Sequence, residues 1–147
     1  MEKVFVSGCL YGYPCRYDGK DSYMEKIEEL KKKAIVIPLC PEQMGGLPTP
    51  RFPSEIVDGK LINNQGIDVT KEYMRGAKAT LDLALDMGVQ YALLKKKSPS
   101  CGKDRIYDGT FSGTLIEGSG VTAKMLLEHG ILVFTEDEID DLLESLK

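Results

Sequence analysis

The sequence predicts an α/β protein whose sheet is mostly parallel. Two observations lead to this prediction: short runs of apolar, often β-branched residues recur along the chain, and segments with apolar residues at helical spacing separate them. Alternating strands and helices favour a parallel sheet with right-handed crossovers and helices on both faces. Because the 147 residues fit one hydrophobic core and contain neither an internal repeat nor a linker, we treat 1–147 as a single domain.

Four strands are predicted, and each is short enough to be buried in a parallel sheet. They cover residues 3–6, 34–38, 89–94 and 131–134. The helices between them are predicted at 22–33 with Ser22 as N-cap, at 69–87 ended by Gly88, and at 119–127 with Ser119 as N-cap. A capping box of Thr135 and Glu138 opens the last helix. This order is that of a Rossmann-like or flavodoxin-like protein with a four-stranded sheet.

In two long stretches the apolar residues show little of the spacing of a helix or a strand. Residues 40–68 and 98–118 are rich in proline and glycine, and we expect both to be irregular. Irregular segments of this length in a small domain are usually functional or mobile. These stretches are therefore the first places to search for a site.

Composition and charge exclude several classes of protein. Hydrophobic residues make up 42% and charged residues 29%, as in ordinary globular proteins. The net charge of −4 disfavours binding to a nucleic-acid polymer, because there is no basic excess to displace counterions. The apolar runs are too short for a membrane span, and the N-terminus does not have the pattern of a signal peptide. We therefore expect a cytoplasmic protein without a membrane partner.

The four cysteines are predicted to converge. Cys9 and Cys15 follow the first strand, Cys40 follows the second, and Cys101 follows the third. Because the carboxyl ends of parallel strands meet at one edge of the sheet, all four belong to the same edge. Cytosolic cysteines in loops are more often metal ligands or redox groups than disulfides. Zinc and an iron–sulfur cluster both remain open at this point, as does a purely structural role for buried thiols.

Acidic and hydroxyl groups accompany these cysteines. Glu42 lies two residues after Cys40 and is a candidate general acid or base; the alternative is a solvated loop charge. Ser98 and Ser100 precede Cys101 and are candidates for holding or relaying a proton; the alternative is turn chemistry around the intervening proline. Two arginines, Arg16 and Arg51, could orient the polar edge of a substrate or form surface salt bridges.

Five motifs in order along the chain give a resemblance to a known family. They are Ser7-Gly-Cys-Leu-Tyr-Gly-Tyr-Pro-Cys-Arg-Tyr-Asp-Gly19, Cys40-Pro-Glu-Gln-Met-Gly-Gly-Leu-Pro-Thr-Pro-Arg51, Lys97-Ser-Pro-Ser-Cys-Gly102, Ile106-Tyr-Asp-Gly109 and Gly118-Ser-Gly-Val-Thr-Ala123. Together they resemble the DUF523 family, which includes 2-thiouracil desulfidases. The resemblance covers residues from about Val6 to about Glu136.

The resemblance implies a [4Fe–4S] cluster held by three cysteines, which are Cys9, Cys40 and Cys101 in this sequence. It further implies that the fourth iron binds the sulfur of a small thiolated substrate, such as a thiolated nucleobase or thioamide. Sulfide then leaves and a carbonyl forms without redox change. The family's acid/base glutamate corresponds to Glu42 and its catalytic serine to Ser98, while Cys15 is a further candidate ligand.

Two other classes of protein use similar residues. A zinc-binding structural or interaction protein would use the same cysteines and leave Glu42 without a chemical role. A thiol–disulfide redox protein would use Cys9 and Cys15, although five residues lie between them, whereas the CxxC motif of that class has two. Metal analysis distinguishes the first alternative from a desulfidase, and redox titration tests the second. The sequence does not define an oligomeric state.

Overall fold

The computed structural model describes residues 1–146, which form eight strands, six α-helices and one short 3₁₀ turn. In chain order they are β1 (Lys3–Ser7), α1 (Gly8–Tyr11), α2 (Ile27–Lys33), β2 (Ile35–Leu39), α3 (Pro41–Met44), β3 (Ser54–Val57), β4 (Lys60–Asn63), α4 (Thr70–Met87), β5 (Tyr91–Leu94), β6 (Arg105–Tyr107), β7 (Leu115–Glu117), α5 (Val121–Glu128), β8 (Leu132–Thr135), the 3₁₀ turn (Glu136–Glu138) and α6 (Ile139–Ser145).

The main sheet is parallel, with the strand order β2-β1-β5-β8. Strand β1 is central, because Val4 pairs with Val36 on one side and with Tyr91 on the other. Its residues 4–6 are completely buried. A strand covered on both faces needs such a continuous apolar run, which is why this segment forms the centre of the sheet. The predicted fold class is confirmed.

Helices cover both faces of this sheet, as predicted. On one face, Val4, Val6 and Leu93 pack with apolar residues of α2 and α6, including Leu30 and Leu142. On the other face, Phe5, Leu39, Ala92, Leu94 and Val133 pack with apolar residues of α4 and α5. The two hydrophobic clusters hold the strands in place, so the loops at their ends begin from fixed positions.

Both stretches that were expected to be irregular contain secondary structure. The first holds α3 and an antiparallel hairpin of β3 and β4, and the second holds a hairpin of β6 and β7. Asp58 and Gly59 join β3 to β4, with φ angles of 50° and 78°. An Asp-Gly pair with two positive φ angles is the turn that two-residue hairpins favour. The sequence therefore carried a hairpin signal that periodicity over such short strands did not reveal.

Two of the predicted helix starts are wrong. Helix α2 begins at Ile27 rather than after Ser22, because the preceding segment instead bonds to α1: Ser22 N–H donates to the Cys9 carbonyl and Met24 N–H to that of Leu10. Helix α5 is preceded by Gly120 rather than by Ser119. In contrast, the capping box at the end of β8 is present, and Thr135 N–H donates to Glu138 at 3.0 Å.

Two glycines set the contact between α3 and α4. A Cβ atom on Gly76 would collide with the carbonyl oxygen of Pro41, and one on Gly45 would collide with that of Glu72. The backbones of the two helices therefore touch directly at this crossing. Since Cys40 is the N-cap of α3 and Glu42 lies in its first turn, this contact fixes where both residues lie relative to the sheet.

The strand order reverses at β1, whose neighbours β2 and β5 lie on either side of it. In open α/β sheets, ligands bind at the carboxyl ends of the strands next to such a reversal. None of the helices within residues 1–146 combines the length and the apolar character needed to cross a membrane.

Candidate active site

A cavity of about 490 Å³ opens at the carboxyl ends of β1, β2 and β5, where the strand order reverses. Its wall includes all four cysteines together with Glu42 and Ser98. The structure thus brings together every candidate cysteine, carboxylate and serine that the sequence singled out, except Ser100. The volume is in the range of a small-molecule site.

Each cysteine reaches the cavity from a different position of the fold. Cys9 lies in α1, Cys15 in the loop after it, Cys40 directly before α3, and Cys101 in the loop after β5. Cys9, Cys15 and Cys101 are buried and Cys40 is half-buried, and all four are free thiols. The predicted convergence of these residues at one sheet edge is therefore present in the structure.

The environment of three thiols favours their neutral form. A hydrogen bond with Cys40 lowers the pKa of the Cys15 thiol, but a hydrogen bond with Cys9 and burial together raise it to about 11. The hydrogen bond with Cys15, followed by burial, raises the pKa of Cys40 well above its usual range. Burial raises the pKa of Cys101 to about 12. These thiols must lose protons to bind a metal, because the thiolate is the ligand.

Within residues 1–146, no three side chains of His, Cys, Asp or Glu are grouped closely enough to hold a single metal ion. The cysteines instead lie around the wall of one cavity, with Cys9 and Cys15 in the segment after β1, Cys40 after β2 and Cys101 after β5. Cysteine thiolates are the usual ligands of iron–sulfur clusters. The donor set at this site consequently fits a multinuclear group of that kind.

Glu42 forms a buried ion pair with Arg51. The Nε and Nη2 atoms of Arg51 lie 2.7 and 2.6 Å from Oε2 of Glu42, and the two side chains are only 6% and 11% exposed, respectively. The hydroxyl of Tyr73 donates to the same oxygen at 3.3 Å. Oε2 therefore accepts hydrogen bonds from three donor atoms, and these bonds fix the orientation of the carboxylate.

Arg51 also connects the loops around Glu42. It donates to the carbonyls of Cys15 at 3.1 Å and Pro48 at 3.2 Å, and to Oγ1 of Thr49 at 3.1 Å. The surface salt bridge that the sequence left open is therefore wrong for Arg51, while its contact with a substrate stays a prediction. Arg16, which lines the cavity, pairs at 3.4 Å with Asp18 and is one-third exposed.

The Glu42 carboxylate raises the pKa of both Arg51 and Tyr73. Burial lowers the pKa of Arg51, but the adjacent Glu42 carboxylate outweighs it, and the net pKa is raised. Burial and the same carboxylate raise the pKa of Tyr73. Arg51 therefore stays charged and Tyr73 stays a neutral donor at any ordinary pH.

Ser98 contacts the second oxygen of Glu42. Its hydroxyl donates to Oε1 at 3.2 Å and accepts the backbone N–H groups of Ser100 and Cys101 at 3.1 and 3.0 Å. Because both acceptor positions of the hydroxyl are filled, its hydrogen is directed towards Glu42. Ser100 is different: it is buried and its hydroxyl pairs with that of Thr122 at 2.7 Å.

Tyr73, Glu55 and Phe111 are among the residues of the cavity wall that were not predicted as site residues. Tyr73 falls within the helix predicted over 69–87, and nothing in its spacing indicates that its hydroxyl reaches Glu42. Glu55 and Phe111 lie in the two hairpins that were expected to be irregular. The Asp-Gly turn between β3 and β4 was the available signal, since recognising that hairpin would have placed Glu55 on a strand.

Comparison with known proteins gives three matches that agree with one another. The model of the 2-thiouracil desulfurase family matches residues 4–138. The chain is 43% identical to the uncharacterized protein YbbK of Bacillus subtilis (strain 168), over 95% of this chain and 99% of that protein. The solved structure of the [4Fe-4S]-dependent thiouracil desulfidase TudS matches with a TM-score of 0.93 and 44% identity, over 99% of this chain and 97% of that chain.

The fold and the cavity define an α/β protein that gathers thiols and an ion-paired carboxylate at the reversal point of a parallel sheet. With matches of this extent, the chain belongs to the 2-thiouracil desulfurase family.

The buried ion pair leads to a prediction about stability. We expect Arg51→Met to lower the free energy of unfolding by about 3–5 kcal/mol, because it leaves a buried carboxylate without its counter-ion. Denaturant unfolding of the cluster-free protein measures the change. The double variant Glu42→Gln with Arg51→Met should be more stable than Arg51→Met alone. As a control, Arg16→Met removes a partly exposed pair and should cost at most about 1 kcal/mol. Equal losses for the two arginines would contradict the prediction.

Proposed function

We propose that this protein is a [4Fe–4S]-dependent desulfidase that removes sulfur from 2-thiouracil or a similar small thiolated molecule. The observation that carries this proposal is that thiols from the segments after three different strands meet a Glu42–Ser98 pair on the wall of one cavity. Membership of the 2-thiouracil desulfurase family and the similarity to TudS support it. A reducing cytoplasm suits four free thiols, and a cytoplasmic location stays a prediction.

Cys9, Cys40 and Cys101 would hold the cluster, each from the segment that follows a different strand of the sheet. Three cysteine ligands leave one of four irons without a protein ligand. When bound, the cluster supplies an open iron that acts as a Lewis acid towards a soft sulfur atom. Cys15 lies beside Cys9 and Cys40, and we assign it to the surroundings of the cluster rather than to the ligand set.

The net reaction is hydrolytic: water supplies the oxygen of the new carbonyl group, and hydrogen sulfide leaves. Glu42 is the general base that accepts a proton from the attacking water. Oε1 is the oxygen for this task, because Arg51 and Tyr73 occupy Oε2. General bases positioned in this way typically contribute 100-fold or more to the rate, about 10²–10⁴ in most enzymes.

Ser98 links the substrate to Glu42. Its hydroxyl donates to Oε1. To pass a proton from that oxygen to a ring nitrogen of the substrate, the hydroxyl would release one of its two N–H partners, accept the proton there and turn its own hydrogen to the nitrogen. The backbone N–H groups of Ser100 and Cys101 fix the hydroxyl in this position. The same two bonds connect the catalytic serine to the backbone that presents Cys101.

The test of this function is anaerobic reconstitution of the cluster, followed by measurement of sulfide released from 2-thiouracil. Iron and labile sulfide in the active protein are expected. Protein loaded with zinc alone should bind the metal without releasing sulfide, and this comparison separates the desulfidase from a zinc-binding structural protein. Sulfide release that is equal with zinc and with the cluster would contradict the proposal.

Ligand assignment gives a prediction about iron content. We expect Cys9→Ser, Cys40→Ser and Cys101→Ser each to abolish iron retention with little change in fold, because each removes one of three ligands. Cys15→Ser is the matched control, since it removes a fourth thiol from the same cavity and should keep most of the iron. Iron per chain and circular dichroism measure the two effects. Loss of iron in Cys15→Ser with retention in Cys9→Ser would reverse the assignment.

A second prediction concerns turnover without loss of the cluster. Glu42→Gln keeps the shape of the side chain and removes its basicity, so it should lower turnover by about 10²–10⁴ while iron content is unchanged. Sulfide release per bound cluster is the measurement. Turnover near that of the unchanged protein would exclude Glu42 as the base.

The two serines give a third prediction. Ser98→Ala removes the hydroxyl that contacts Glu42 and should strongly reduce turnover per bound cluster. Ser100→Ala removes a hydroxyl that is paired with Thr122 in the interior. This variant should weaken cluster retention through the Cys101 loop and have the smaller effect on turnover. An active Ser98→Ala beside an iron-replete but inactive Ser100→Ala would exchange their roles.

A further inference from the structure

We propose that the ring of Phe111 is the surface on which the planar ring of the substrate stacks, and that Glu55 positions it. The inference rests on the proposed function in one respect: the substrate is taken to be a thiolated heterocycle. Neither residue is needed to hold a cluster or to move a proton. Both belong to the hairpins that contribute to the wall of the cavity outside the main sheet.

Phe111 is an unusual residue for its position. It lines the cavity, yet 39% of it stays exposed. Its φ angle is +56°, in the left-handed region that bulky side chains rarely adopt. Backbone conformations of this kind persist only where surrounding contacts enforce them, and they concentrate at functional sites. The unfavourable backbone conformation thus places a partly exposed aromatic ring on the cavity wall, where a bound planar molecule would cover it.

Glu55 is the residue that enforces this conformation. It is buried at 8% exposure on β3, and its Oε1 atom accepts the N–H of Phe111 at 3.1 Å and that of Gly109 at 2.9 Å. Charge-assisted bonds from backbone N–H groups are among the stronger hydrogen bonds in proteins. The carboxylate therefore holds the loop between β6 and β7 from both sides of residue 110.

Gly109 brings the same loop into direct contact with β3. Its φ angle is +93°, and an added Cβ atom would lie 2.7 Å from the carbonyl oxygen of Ile56. The loop backbone thus packs on the strand that carries Glu55, with no side chain between them. Two independent contacts, one polar and one steric, fix the backbone from which the Phe111 ring projects.

Aromatic side chains bind planar heterocycles by stacking, with little dependence on which heterocycle is present. A stacking contact of this kind is made equally in the ground state and the transition state. Its loss should therefore raise KM and leave kcat nearly unchanged. Loss of Glu42 or Ser98 would lower kcat instead, so the two kinds of role are separable by kinetics.

The kinetic test compares Phe111→Ala, Phe111→Tyr and Glu55→Ala in the cluster-loaded enzyme with 2-thiouracil as substrate. Phe111→Ala should raise KM about ten-fold, the loss expected for one stacking contact, with kcat within about two-fold. Phe111→Tyr should restore most of the affinity. Glu55→Ala should raise KM in the same direction, and the double variant with Phe111→Ala should be no worse than Phe111→Ala alone. An unchanged KM in Phe111→Ala, or additive effects in the double variant, would overturn the proposal.

A binding measurement provides a readout that does not depend on turnover. The chain contains no tryptophan, so Phe111→Trp introduces a single one at the proposed stacking position. Saturable quenching of its fluorescence by 2-thiouracil and by uracil is expected. The control is Tyr23→Trp, an exposed aromatic position that does not line the cavity. Equal quenching in both variants, or none in Phe111→Trp, would overturn the assignment.

The two measurements keep this inference separate from the proposed function. If the unchanged enzyme releases no sulfide while Phe111→Trp is quenched and Tyr23→Trp is not, the ring-binding role is supported and the desulfidase proposal fails. If sulfide is released while Phe111→Trp is not quenched, the desulfidase proposal stands and the role of Phe111 is excluded.

Discussion

The arrangement of the cavity depends on the ion pair and hydrogen bonds that the Glu42 carboxylate forms. Its two oxygens connect Arg51, Tyr73 and Ser98, which come from an extended loop, from α4 and from the segment after β5. Through Arg51 the connection continues to the carbonyl of Cys15 in a fourth segment. A buried ion pair is costly to form, because both charges lose their hydration, and it persists here because further hydrogen bonds satisfy both partners. One side chain therefore organises elements that share no continuous secondary structure.

The parallel sheet determines where the segments that carry the cysteines lie. Because β1 pairs in parallel with both β2 and β5, the three segments that carry cysteines leave the sheet side by side. The thiols are distant in sequence, and only the completed sheet brings them to one cavity. The family relationship and the close structural similarity to TudS agree with this arrangement, since the similarity extends over 99% of the chain rather than over the motifs alone.

Much of this arrangement could be predicted from sequence. The apolar runs gave the four parallel strands, and their order along the chain placed Cys9, Cys40 and Cys101 at one edge. What the sequence did not reveal are contacts between residues far apart in the chain, such as the hydroxyl of Tyr73 reaching Glu42. The short hairpins were also missed, because three- and four-residue strands carry too little periodicity to detect. Arg51 was noticed, but its burial depends on the tertiary fold, and its partner could not be inferred from spacing.

The glycine contact between α3 and α4 has a consequence for how this fold can diverge. Since the two backbones touch at Gly45 and Gly76, the helix that carries Glu42 cannot move outward or inward without a steric clash or a void. That wall of the cavity has a fixed shape. Another part of the wall comes from the hairpins β3–β4 and β6–β7, which lie outside the main sheet and can change length without disturbing it. Proteins built on this scaffold would therefore adapt to larger or smaller molecules by remodelling the hairpins, while the position of Glu42 stays the same.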